Sequence, residues 1–419
     1  MKNLLLLISI AFIASSCVKT EGKISMRYNK ATAVYADLDS IRSLPLLEAS
    51  RELVDPTNFY VGEDFILVGE ANEGIHIYDN VNSQNPVKVA FIRIPYNKEF
   101  YVKGNNLYAE SLYDLVKLDI TDVYNPTFIS RANNVFWTPL EDDNGNQLIG
   151  FNYRMVTEEF DLNSPEAAQI KKEGELHIDF QENLIQESSV PNSFTGSYGY
   201  SKGTISRMAV EYGYVYVISD DKLHVVEDGF NLSKTTEVNI TEGAETVYAE
   251  FGRLYIGGTT EMSIYNVMTP SNPTKISELA HTESCDPVLP IGDIAYYTLR
   301  SDGNGGCNSM GENTLNIVDL SNEEEPVVLE SIQMNSPYGM GRAYQYLMVG
   351  DGTNGLKIFD ASQPDDLQDV LTITGIEVYD VMLHPFNTNV VLTTNSMGIE
   401  QFQVDWNTLT FTPISQILY

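Results

Sequence analysis

One short string recurs through the chain and constrains its fold more than any other feature. "LVKLDITDVYNP" at 115–126 returns as "LNIVDLSNEEEP" at 315–326, as "LKIFDASQP" at 356–364 and, more loosely, as "SIYNVMTPSNP" at 263–273. Each copy is a run of alternating apolar residues, then Asp or Asn, then a turn closed by Pro. A short unit that repeats at a steady interval cannot bury its apolar face alone, so its copies must stack.

Aligned on the residue that ends the recurrent strand, the copies fall at Asp79, Asp119, Glu227, Asn266, Asp319 and Asp360, with a degenerate seventh at Gln403. Successive spacings are 40, 108, 39, 53, 41 and 43, a period near 40 broken by one long insertion and one short one. A strand rich in β-branched and aromatic residues precedes each anchor ("FILVGE", "NLYAES", "YVYVIS", "RLYIGG"). Another lies ahead of that ("FYVKG", "RMAVE"), and a fourth follows the Pro turn ("VKVAFIRI", "VVLESI"). The unit is therefore four strands, A to D. Its terminal Asp is expected to accept backbone N–H groups two residues on, while Pro fixes φ at the reversal, so these aspartates are structural in the first instance.

Four-stranded sheets of this size bury both faces when they are arranged radially about an axis. Once the insertion is set aside, residues 51–419 come to about 43 per unit, the length of a propeller blade. The expected fold is all-β, a seven-bladed β-propeller of four-stranded antiparallel blades. The long insertion, about 134–203, falls between strand D of unit two and strand A of unit three. It belongs to the top face, where the D-to-A and B-to-C connections emerge.

The "LxIxD" strand end with its Pro-closed turn, and the pieces "GIHIYDN", "VKGNNLYAESLYDLVKLDIT", "SCDPVLPIGDIAYYTLRS" and "GLKIFDAS", resemble the LVIVD repeat of bacterial and archaeal surface propellers. The likeness is to the lipoprotein members of that group and extends from about residue 58 to 403. It implies the propeller fold and export to the Gram-negative cell surface, and it brings no settled activity with it.

The N-terminus agrees with export. Lys2 precedes the ten-residue apolar run from Leu4 to Ile13, too short to span a bilayer, and "ASSC" follows. This resembles a bacterial lipoprotein signal, which implies removal of residues 1–16, acylation of Cys17, and a tether and N-terminal segment over 17–50. The protein is then expected at the outer membrane, held by lipid on Cys17 and facing either the surface or the periplasm. An ordinary secretory signal is the alternative. Cys285 and Cys307 lie in two top-face loops of unit five, and in an oxidising compartment they are expected to form a disulfide in preference to a metal or thiol site.

With 58 acidic residues against 25 basic ones, the net charge of −33 repels phosphate backbones and anionic lipid surfaces, so nucleic acid is excluded as a partner. The chain has no HExxH, GxSxG, P-loop or CxxC, and no cofactor is expected. Ca²⁺ is the one candidate cation, through the acidic Gly-rich loops "EDDNGN", "SDGNGG" and "GDGTNG", none of which has EF-hand spacing.

Two sets of residues remain as candidate sites. Lys98, Glu99, Arg207, Glu245, Asp286, Tyr338 and Asp380 are placed at the upper ends of the channel-lining A strands, a default pocket in this fold. Trp137, Phe151, Tyr153, Tyr198 and Tyr200 could give the insertion an aromatic surface for a partner. The leading reading is a binding or scaffolding module for another outer-membrane or surface protein, or for a glycan. The alternative is a carbohydrate-active hydrolase or lyase using the channel-mouth acids, which would need two carboxylates roughly 5–9.5 Å apart beside an open cavity.

Overall fold

The computed structural model describes residues 22–136, 140–173, 175–177, 206–219, 221–281, 287–301 and 312–419. Cys17, Trp137, Tyr198, Tyr200, Cys285, Asp286 and Cys307 lie outside the described residues, and with them the expected lipid site and disulfide. The described residues divide into two compact units: 22–35 with those of 148–177, and 36–147 with those from 206 on.

The larger unit is a ring of seven blades, each a four-stranded antiparallel meander of consecutive strands. Blade 1 is Pro56–Val61, Phe65–Glu70, Gly74–Asp79 and Val87–Arg93. The A strands of blades 2 to 7 are Phe100–Lys103, Met208–Glu211, Ala244–Glu250, Val288–Ile291, Met340–Ala343 and Asp380–Leu383. The B strands are buried along almost their whole length on both faces, as stacked sheets require. Ile75, Ile77 and Leu67 of blade 1 meet Phe100, Leu107 and Val116 of blade 2, and similar clusters fill the other clefts.

The recurrent Asp acts as its position demands. Asp79, Asp119, Asp319 and Asp360 each accept the backbone N–H two residues on, at 2.8–3.0 Å, and Asn266 does the same for Met268 at 2.8 Å. Two units differ from the sequence alignment. In blade 7 strand C runs on to Asp405, which caps Asn407 N at 2.9 Å, so Gln403 lies inside the strand. In blade 3 the strand continues to Asp228, whose carboxylate accepts the Tyr108 hydroxyl and Lys117 Nζ of blade 2, both at 2.6 Å.

The first and last blades share no strand. Their seam is closed by Phe59, Val68 and Tyr78 packing on Val390, Leu392 and Ile417, and by reciprocal amide bonds between Asn80 and Gln401. Outside blade 1, Leu46–Ala49 adds a fifth strand along Val87–Arg93. A short helix, Leu38–Ile41, precedes it, capped by Asp37. Arg42 ties this segment to Asp114 of blade 2 at 2.8 and 3.3 Å. Residues 36–49 of the expected tether thus belong to the ring.

In the smaller unit, Lys23–Ala36 lies between Gln147–Asp161 and Glu175–His177, the latter pairing in parallel. The helix Pro165–Glu173 contributes Ile170, which packs on buried Tyr28. The Tyr28 hydroxyl donates to Glu158 at 2.7 Å. Among the described residues the turn at "EDDNGN" closes one bridge, Glu141 to Gln147, and the strand that leaves it pairs with the N-terminal segment.

Candidate functional site

At the upper ends of the A strands the structure brings Glu99 and Arg207 together. Glu99 is 2% exposed and accepts Ser206 Oγ at 2.6 Å, Arg207 N at 2.8 Å and Arg207 Nε at 3.2 Å. The same guanidinium reaches Glu110 at 2.8 Å. Burial pushes the Glu110 carboxyl up, against the pull of Arg207 and Lys98, and nearby Glu99 adds to the rise. Blades 2 and 3 are joined by this network, and a buried charge pair of this kind holds because each partner answers the other.

Of the other candidates, Tyr338 and Asp380 meet groups of neighbouring blades elsewhere in the ring. Tyr338 lies under the Arg300 guanidinium, 4.1 Å from its ring centre, and meets Tyr379 of blade 7 edge-on at 4.8 Å. Asp380 is fully buried against Gly339, where an added Cβ would lie 1.8 Å from its Oδ1. Glu245 is half-buried within strand A of blade 4. Tyr153 is 39% exposed on Gln147–Asp161, with Phe151 6.4 Å away.

In two of the acidic loops one carboxylate is taken up by donors of the loop and its neighbours; residues 302–306 of "SDGNGG" lie outside the described residues. Asp142 of "EDDNGN" accepts three donors, the Asn144 N–H and the N–H and side-chain amide of Asn146, at 2.8–2.9 Å. Asp351 of "GDGTNG" accepts Ser336 N at 2.7 Å and Asn335 N at 3.0 Å. Among the described residues no group of three or more His, Cys, Asp or Glu is placed to hold a metal ion.

A second polar set, at the lower end of the A strands, went unread in the sequence. Tyr60, Tyr101 and Tyr248 occupy one repeat position in blades 1, 2 and 4. Burial raises Tyr101, and Glu211 of blade 3 adds to it. Tyr248 is pushed up to about 12 by burial and then by Glu250. Burial also raises Glu250, with Arg342 of blade 6 opposing and Glu211 reinforcing. Groups on five blades influence one another here, as the lower part of a shared axial channel allows. The recurring "FYV", "FYV" and "VYA" was the available signal.

Below it, the A-to-B turns carry aromatic residues in the left-handed region: Tyr212 (φ 48°), Phe251 (φ 48°) and Tyr344 (φ 54°). Phe251 is 81% exposed, and Tyr212 and Tyr344 are about half exposed. Glycine or asparagine would relax these turns, so the rings sit there at a conformational cost. Tyr212 and Met268 close over Gly252, whose φ is 79° and whose Cβ, if present, would lie 2.5 Å from Met268 Sδ and 3.3 Å from Tyr212 Cε2. Tyr212 and Met268 thus form an exposed patch across blades 3 and 4, and exposed Phe251 stands on the residue next to the glycine they cover.

No protein-family model and no curated protein matches the chain. Among solved structures it is similar to the computationally designed Ika8 protein, with TM-score 0.50 and 10% identity over 88% of this chain and 89% of that one. It is also similar to the β-propeller domain of Cps50 from Myceliophteria thermophila (TM-score 0.48, 10% identity, 87% and 100% covered). A third is PorZ, a bacterial surface component of the type-IX secretion system of Porphyromonas gingivalis (TM-score 0.46, 10% identity, 88% and 39% covered). At such identities the likeness concerns the fold alone. The seven sheets themselves define the class, a seven-bladed β-propeller.

Proposed function

We propose that this propeller is an LVIVD-type lipoprotein of the outer membrane, attached through Cys17, which acts as a binding module for another surface protein. Its observed basis is a contrast between the two ends of the ring. At the upper end Glu99, Glu110 and Arg207 are spent on one another, whereas the lower face holds exposed aromatic rings in turns that would be more stable without them. Interaction surfaces are enriched in such residues, and a protein partner is favoured over a glycan because the patch is apolar and includes the Met268 thioether. A raised carboxyl beside a second carboxylate is the pattern of an acid–base pair. Here the raised one, Glu110, is 1% exposed and bonded to Arg207, which favours a structural role.

Turnover assays on a polysaccharide panel test the choice. Native protein is expected to show no turnover, and Glu110→Gln to retain partner capture from the cell's own membrane. Turnover abolished by Glu110→Gln would establish the hydrolase reading. Fractionation of Cys17→Ala tests the anchor: the variant should leave the membrane fraction, and retention at the native level would locate attachment elsewhere.

A further inference from the structure

The B strands of blades 2 to 5 share a tyrosine at the third position: Tyr108, Tyr216, Tyr255 and Tyr296. Three of them reach the next blade, two at its C-to-D turn and one at the end of its strand C. Tyr216 donates to the Pro270 carbonyl at 2.9 Å, Tyr296 to the Pro364 carbonyl at 2.7 Å, and Tyr108 to Asp228 at 2.6 Å. Tyr255 makes no such bond among the described residues. Glu323 stands in blade 5 where Pro270 and Pro364 stand in blades 4 and 6, and its carbonyl is taken by Ser277 Oγ at 2.5 Å. The Glu323 carboxylate turns instead to Arg253, at 2.8 Å from Nε.

Where the latch is missing there is an open groove of about 440 Å³, lined by Tyr255, Arg253, Asp293, Glu323 and Glu324. That volume falls within the range of ligand pockets. The lining includes three carboxylate residues and one guanidinium, which is paired with Glu323, so the groove carries excess negative charge. Arg253 follows Gly252 and Asn266 precedes Met268 by two residues, so the groove adjoins Tyr212, Phe251 and Met268. Around the ring the repeat adds charge to this face, because the capped turns of blades 1, 2, 5, 6 and 7 each present a carboxylate, while blade 4 has the uncharged Asn266. The bonds from Thr121, Ser321, Ser362 and Asn407 hold Asp119, Asp319, Asp360 and Asp405 below their ordinary pKa.

We infer that the groove between blades 4 and 5 receives a lysine or arginine side chain from an extended segment of a partner protein, whose adjacent apolar side chain rests on Tyr212, Phe251 and Met268. The inference deepens the binding-module reading and rests on it. Charge complementarity selects the occupant: a second copy carries the same −33 and an anionic membrane the same sign, whereas a cationic apolar segment matches both halves of the site. Aromatic faces beside a cation add to the match.

Calorimetric titration of the folded chain with the acetylated, amidated peptide Leu-Lys-Leu-Lys-Leu tests this. Ser-Lys-Ser-Lys-Ser and Leu-Glu-Leu-Glu-Leu serve as controls. Saturable binding of the first is expected, with a loss of about tenfold in Asp293→Asn and in Phe251→Asn, each still unfolding in one cooperative transition. Equal binding of the serine peptide would reduce the effect to charge and overturn the proposal, as would absence of binding or indifference to both substitutions. Self-association, or flotation with zwitterionic vesicles, that disappears in Phe251→Asn would likewise assign the patch to another occupant. If native protein captures a membrane partner and Phe251→Asn captures it equally well, the groove assignment falls and the binding-module reading stands. If native protein captures nothing, the reading itself falls.

Discussion

The Tyr216 hydroxyl of blade 3 donates to the Pro270 carbonyl of blade 4 at 2.9 Å, and Tyr296 of blade 5 repeats the bond to Pro364 of blade 6 at 2.7 Å. Stacked sheets held by apolar packing alone could slide along one another. A directional bond at a fixed position in strand B sets their register.

Removing one such hydroxyl should therefore cost stability, and removing the unlatched one should not. Tyr216→Phe and Tyr296→Phe are each expected to lose about 1 kcal/mol in urea unfolding, because the carbonyl is left without its donor. Tyr255→Phe should stay within about 0.5 kcal/mol of native. Equal effects at all three positions would refute the latch.

Arg207 bonds two buried carboxylates, so its loss removes the guanidinium that pairs both. Arg207→Met should destabilise the ring by about 3–5 kcal/mol. Adding Glu99→Gln and Glu110→Gln should restore part of it. Non-additivity in that cycle, read from urea midpoints, is the decisive quantity.

Phe251 is 81% exposed at φ 48°, in a turn that asparagine adopts more readily. Phe251→Asn should raise stability by about 0.5–1 kcal/mol, an unusual sign for a substitution in a folded protein. A lowered thermal midpoint would show that the ring is packed and not displayed.

His224 lies buried in strand C of blade 3, and its pKa is pushed down to about 4 by burial and by Lys234, with Glu237 opposing. The folded value lies below the unfolded one near 6.5, so protonation favours the unfolded chain. Stability from this residue should be intact above about pH 6.5 and decline toward pH 4 by roughly 2–4 kcal/mol. Urea midpoints across that window should flatten in His224→Gln.

Excision of the insertion tests the boundary of the ring. Val135 and Phe136 are buried and bond the Tyr113 carbonyl, so the ring extends to residue 136. Ser219 donates to the Phe136 carbonyl, and Ile218 N bonds Arg207 O at 2.9 Å, which brings Phe136 close to the start of blade 3. A chain beginning at residue 36 with a short Gly/Ser linker from Phe136 to Ser206 should unfold cooperatively. Aggregation of that variant would make the smaller unit part of the ring's stability.

The repeat was legible because its signals are local. Strand alternation, Asx-capping and Pro can all be read within a dozen residues, and Asp79, Asp119, Asp319 and Asp360 behave as their spacing implies. Gln403 misled because a longer strand C moved the cap to Asp405, which only pairing reveals. The channel-mouth acids were placed by topology, and sequence could not show that Arg207 bridges Glu99 to Glu110, since Arg207 lies 108 residues from the first and 97 from the second. The exposed rings escaped notice for a different reason: "YG" and "FG" look like ordinary turn punctuation, and only φ and exposure set Tyr212 and Phe251 apart.

No strand pairs across the seam between the first and last blades: Leu53 and Tyr419 pack in the cluster that fills it, and Gln401 and Ser415 bond the Ser83 carbonyl. The ring's ends therefore meet without exchanging a strand, and the order in which blades are joined covalently is free. A circular permutant that links these ends and opens the chain between any other two blades would present the same seven sheets. Such a molecule could carry its attachment point on whichever blade the experimenter chose, and so turn either face of the ring toward a surface.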